Sequence, residues 1–207
     1  GEDDKNTERD LYKALEKGIP GLDISTHLHL HWIENLPVEF DESEGPVNVR
    51  HPIFFPHEIL HAIHESDVAD LVMLDTDGVN GIRNFWEKVR ECSWAKSHPA
   101  QHYDLDTCCP VGIHGDDVGT TAQNKMLVLS VSSLLSRAES LISRLAMTVI
   151  LMEICIPGVT LRILYETIAW SFHWALLGIF PPRDPNGNPW PPGSWRANMA
   201  YKQLGPL

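Results

Sequence analysis

Apolar residues recur at helical spacing in the first half of the chain and gather in β-branched blocks in the second. ERDLYKALEKG sets Leu11 and Leu15 four apart and stops at Gly18, which predicts a short helix. STHLHLHWIE alternates and predicts a strand or extended segment. VEFDESEGPVN reads as an acidic turn or linker. PHEILHAIHESD predicts a helix. Pro56 suits its first position, where a missing N–H costs nothing, and Ile59, Leu60 and Ile63 form an apolar stripe. GVNGIRNFWEKVRECSW predicts a second helix, with Ile82, Phe85, Trp86 and Val89 inward.

CPVGIHGDD reads as a short apolar strand ending in two carboxylates, KMLVLSVSS as a second strand and GDDVGTTAQN as the turn between them. RLAMTVILMEICI predicts a third strand, broken by Pro157-Gly158. VTLRILYETIAWSFHWALLGIF returns to helical spacing through Leu161, Leu164, Tyr165, Ile168, Phe172 and Leu176, with Trp170 and Trp174 in the core. The Pro- and Gly-rich PPRDPNGNPWPPGSW is a loop pinned by Trp190 and Trp195. The expected class is α+β: helices first, then strand-strand-strand-helix. Three regions follow: an acidic arm over 1–45, a helical region over 46–105, and a strand-strand-strand-helix region over 106–207.

Charge narrows the partners. The net charge of −12 argues against a protein that binds nucleic acid over its whole surface. Residues 1–44 hold twelve acids and four bases, whereas residues 125–207 hold four acids and seven bases. A nucleic acid would therefore have to use the C-terminal half. Cys92, Cys108, Cys109 and Cys155 form no framework spacing, which points to a reduced, intracellular protein. The longest uncharged run, residues 167–182, is sixteen residues, too short for a membrane span, so no membrane partner is expected. The chain opens on Gly1 and closes on QLGPL without a polar tail, so it is expected to be a piece of a longer protein.

His57-Glu58-Ile59-Leu60-His61 is an H-E-x-x-H and resembles the zincin metallopeptidases. On a helix, His57 and His61 share a face and reach one Zn2+, while Glu58 is the general base on a zinc-bound water. Asp67 stands where the metzincin pattern places its last ligand, although His64 replaces the Gly that lets the chain turn back. Glu87, on the next helix, is a second choice of ligand. An amphipathic helix with its polar residues outward accounts for the same letters. Two looser clusters also carry metal-ligand chemistry. His27, His29 and His31 share one face of an extended segment; His98, His102, Cys108, Cys109 and His114 lie near one another but match no zinc-finger spacing.

Asp116 and Asp117 offer a different site. A strand ending in Asp, followed by two more strands and a helix, is the opening order of an RNase H-like core. There, carboxylates hold Mg2+ for phosphodiester chemistry. Glu166, on the following helix, falls where such enzymes place a second carboxylate. Hairpin-turn chemistry is the plain alternative for GDD.

Four blocks add a resemblance: FFPHEILHAIHESD, FWEKVRECSWAKSHP, GIHGDDVGTTAQNKMLVLSVSSLLS and WALLGIFPPRDPNGNPWPPGSWRANMAYKQLGPL, within residues 54–207. In this order they resemble a large, mostly uncharacterised, transposase-like family of mobile-element origin expanded in dinoflagellate genomes. The resemblance implies an incomplete RNase H-like core, Asp116 as the acidic position with Asp117 beside it, and no role for Glu58. It also implies that later carboxylates are missing here, so that the chain alone is inactive. A zinc-dependent hydrolase and a non-enzymatic interaction domain are the other two expectations.

Overall fold

The computed structural model describes residues 28–205, apart from residue 42 and residues 120–124. The helix expected around Leu11 and Leu15 lies outside the described residues. The first elements are β1 (His31–Val38) and β2 (Val47–Ile53), paired antiparallel from His31 opposite Ile53 to Val38 opposite Val47. The acidic segment between them is a tight connection in which Asp41 accepts the Ser43 N–H at 2.8 Å. β2 lies inside the region expected to be helical. Its period-two pattern of Val47, Val49, His51 and Ile53 is broken up by Asn48, Arg50 and Pro52, which face away from the core or half-way out.

Helices α1 (Pro56–His64), α2 (Ala69–Met73), α3 (Val79–Val89) and α4 (Ser93–Lys96) follow. The single helix expected from GVNGIRNFWEKVRECSW is α3 and α4, interrupted after Val89. Three antiparallel strands then form a meander in spatial order β3 (Val111–Gly119), β4 (Lys125–Ser133), β5 (Leu145–Leu151), with the one-turn helix α5 (Ser140–Ser143) before β5. α6 (Thr160–Leu177) and the short α7 (Trp195–Met199) complete the fold. The observed class is α+β.

β3 does not end at its carboxylates. It runs through Asp116 and Asp117, which pair with Val128 and Leu127 on β4. On β4 the odd positions Leu127, Leu129 and Val131 are buried, so this is the core-facing side of the meander. Gly115 sits opposite Leu129. A Cβ there would lie 3.4 Å from one Leu129 methyl and 3.5 Å from a Leu127 methyl, so the bare glycine leaves room for both side chains.

One core joins the two sheets through Phe54, Phe55, Ile59, Leu129, Met147 and Leu164. The chain leaving β2 bonds directly to β5, where the Phe54 N–H donates to the Met147 carbonyl at 2.8 Å. A smaller cluster holds Ile82, Trp86 and Ala100, with the Trp86 indole donating to the Cys108 carbonyl at 2.8 Å.

α6 is rotated relative to its apolar spacing. Its buried residues are Thr160, Leu164, Thr167, Ile168, Ser171 and Ala175, while Tyr165 is 44% exposed and Trp174 half-buried. Polar partners set the rotation: Thr160 donates to the Pro37 carbonyl at 2.5 Å, and Ser171 meets His57. Gly178, at φ 68°, ends the helix in the left-handed conformation that glycine adopts without steric cost. All four cysteines are free thiols. Among the described residues no helix is long and apolar enough to cross a membrane.

Leu129 is fully buried at the centre of the meander. Leu129→Ala is expected to cost about 2–5 kcal/mol in urea unfolding. Ile113→Ala, on the exposed strand, is expected to stay within about 0.5 kcal/mol.

Candidate functional site

Every residue of HEILH is buried. α1 starts at Pro56 beneath α6, and its first turn is fixed by one side chain of that helix. The His57 backbone N–H donates to Ser171 Oγ at 3.1 Å, and His57 Nδ1 lies 2.7 Å from the same oxygen. Ser171 Oγ carries one proton and two lone pairs, so it can donate to Nδ1 or accept from it. Burial, then the nearby Arg196 and then His61 pull the His57 pKa down to about 3, so the ring is neutral at pH 7.

Glu58 is the centre of the buried polar structure. Its carboxylate is 0% exposed and takes a two-pronged ion pair from Arg196, with Nε to Oε1 at 2.6 Å and Nη2 to Oε2 at 3.1 Å. The His29 N–H donates to Oε2 at 3.3 Å, and Arg196 Nη2 also donates to the His29 carbonyl. The guanidinium sits 4.9 Å above the Phe55 ring and 5.3 Å from the Trp190 ring. Burial pushes the Glu58 pKa up, while Arg196 and the His29 N–H pull against it. Both ends of the described chain are thereby tied to α1.

The expected zinc ligands are not gathered. His57 is engaged with Ser171, and Glu58 faces Arg196 rather than a water-filled cleft. The Gly205 N–H reaches His61 Nδ1 at 3.5 Å. Asp67 is exposed in the turn after α1. His27 lies outside the described residues. His29 packs on Trp195 with ring centroids 4.4 Å apart, and His31 stacks on Phe55 at 4.6 Å. Cys109 is half-buried against the Met73 carbonyl and Ser133, and burial raises its thiol pKa to about 11. Among the described residues no group of three or more His, Cys, Asp or Glu side chains is placed to hold a metal ion.

The Mg2+ candidates are exposed and separate. Side chains alternate along a strand, so Asp116 and Asp117 point to opposite faces of the meander. Asp117 shares the core-facing side with Leu127, and Asp116 shares the other side with Val128. Glu166 is exposed on α6, 3.8 Å from Arg162 one turn earlier. β3 is an edge strand, unpaired on its outer side among the described residues.

Two cavities flank these elements. The larger, about 840 Å³, is lined mostly by apolar side chains such as Trp86, Trp94, Ile113, Phe172 and Leu176. The smaller, about 640 Å³, opens beside Arg196 between β1 and the 184–196 segment. Compared with protein-family profiles, curated proteins and solved structures, the chain matches none. Local patterning gave no sign of Arg196, Ser171 or His29 as partners of HEILH. The one usable signal was Ser194, whose hydroxyl accepts the Ala197 N–H at 3.2 Å and starts the helix that carries Arg196.

Arg196→Met leaves a lone carboxylate in the core and is expected to cost about 3–5 kcal/mol in urea unfolding. Adding Glu58→Gln to that variant is expected to recover much of the loss.

His31, His51 and His57 have pKa values lowered from 6.5 to about 4, 4 and 3, chiefly by burial. The unfolded chain therefore takes up protons below pH 6.5 that the folded chain refuses. Stability is present above that pH and is lost as the pH falls from about 6.5 towards 4, by up to about 1.4 kcal/mol per histidine per pH unit. Urea midpoints measured between pH 4 and 8 report this slope.

Proposed function

We propose that the chain is part of a transposase-like, mobile-element-derived protein, in which β3, β4, β5 and α6 are the opening half of an RNase H-like core. One observation carries this reading. Three sequential antiparallel strands are followed by a long helix, and the first strand stands at a sheet edge with a carboxylate on its core-facing side. Such a core uses that edge for a further strand and that carboxylate for Mg2+. Asp117 is favoured over Asp116 for this role because, although exposed, it lies on the side of the meander where Leu127 and Leu129 are buried. Glu166 on α6 is the second carboxylate. The chain then contributes ligands to a divalent-metal site without completing it, and does not cleave nucleic acid by itself. Nucleic acid meets the C-terminal half, in an intracellular setting.

Mn2+ added to isotope-labelled protein should broaden amide signals around Asp117 first. Asp117→Asn should abolish that broadening, and Asp116→Asn should leave most of it. Broadening centred elsewhere, or none at millimolar Mn2+, would overturn the assignment.

A further inference from the structure

The cavity of about 640 Å³ beside Arg196 is within the roughly 300–1,000 Å³ range of small-molecule sites. Three irregular stretches of backbone converge on it. In β1 the register slips between Ile33 and Leu36, and Asn35 adopts φ 63°, so the bulge turns Glu34 and Asn35 towards the cavity rim. On the opposite side, Asp184 organises a tight loop. Its carboxylate accepts the backbone N–H groups of Asn186 and Asn188 at 3.0 and 2.7 Å, and the Asn188 amide at 3.1 Å. At the back, Arg196 spends Nε and Nη2 on Glu58 and His29, and among the described residues no hydrogen bond uses its Nη1.

The lining therefore presents uncharged groups that both donate and accept. The amides of Asn35, Asn186 and Asn188 line the rim, and His31 is neutral, its pKa lowered to about 4 by burial and by Arg196. Positive charge is not in excess. Arg196 is neutralised by Glu58 and Glu34 by Arg50, while Asp184 adds negative charge, so a phosphate gains nothing here. The aromatic faces are already occupied: Arg50 covers Trp32 at 4.7 Å, Arg196 lies over Trp190, and His29 packs on Trp195. A nucleobase that needs an open ring to stack on finds none.

From this lining we infer that the cavity binds a neutral, polyhydroxylated ring, a single sugar unit or the end of an oligosaccharide. Its hydroxyls would exchange hydrogen bonds with the asparagine amides, His31 and Arg196 Nη1.

Saturation-transfer NMR on the full chain tests this with maltose, cellobiose, lactose and N,N′-diacetylchitobiose, and with adenosine as the comparison. Saturation of the ring protons of at least one disaccharide, with millimolar affinity, is expected. Asn188→Ala should weaken that binding about tenfold. Asn188 also holds the loop, so Asn186→Ala, whose side chain makes no hydrogen bond among the described residues, should weaken it as well. Trp94→Ala, in the other cavity, should leave it unchanged. Transfer to no sugar, transfer to adenosine alone, or native affinity in both asparagine variants would overturn the inference.

Discussion

The buried Glu58–Arg196 ion pair is the constraint around which the described chain is arranged. A carboxylate without exposure in an apolar core is tolerable only if its charge and its lone pairs are met. Arg196 supplies two of the contacts and the His29 backbone a third. Each requirement fixes a different piece of chain. α1 must present Glu58 inward, the segment entering β1 must pass close enough to donate, and α7 must bring Arg196 under the Phe55 and Trp190 rings. The second polar anchor, Ser171 with His57, fixes how α6 lies on α1. Together they explain why an apolar stripe alone does not set the rotation of α6.

These anchors also change what H-E-x-x-H means. The motif is read as chemistry because its letters can place two imidazoles and a carboxylate around a metal. In this fold the same letters are met by partners from distant parts of the chain. His57 is neutral and hydrogen-bonded to Ser171, and Glu58 is paired with Arg196. A helix whose polar residues point inward is stable only when partners arrive from other elements, and here they come from α6, α7 and the start of β1. The carboxylates on β3 show the opposite case: exposed and free of ion pairing with α6, they remain available to a ligand.

Much of the order of elements was legible. Pro56 and the stripe of Ile59, Leu60 and Ile63 located α1, and the β-branched run of KMLVLSVSS located β4. Features that depend on distant partners were not legible. β2 is hidden by Pro52 and its outward polar residues, which a hairpin tolerates on its open face. Asp116 and Asp117 read as the end of a strand running into a turn, because Gly and Asp favour turns, yet an edge strand leaves room for charged side chains and continues to Gly119. Asp184, Asn186 and Asn188 looked like ordinary loop residues, and only the fold sets them opposite the β1 bulge. Glu58 and Arg196 lie 138 residues apart, and no local pattern pairs them.

That separation has a kinetic side. During synthesis the β1–β2 hairpin and α1 leave the ribosome long before α7 exists. Until then Glu58 is a carboxylate with no counter-ion, and closing the core over it is unfavourable. Contacts so far apart in sequence form late and slow the approach to the native state. The α1 face of the nascent chain therefore stays open while the 138 residues from Glu58 to Arg196 are made.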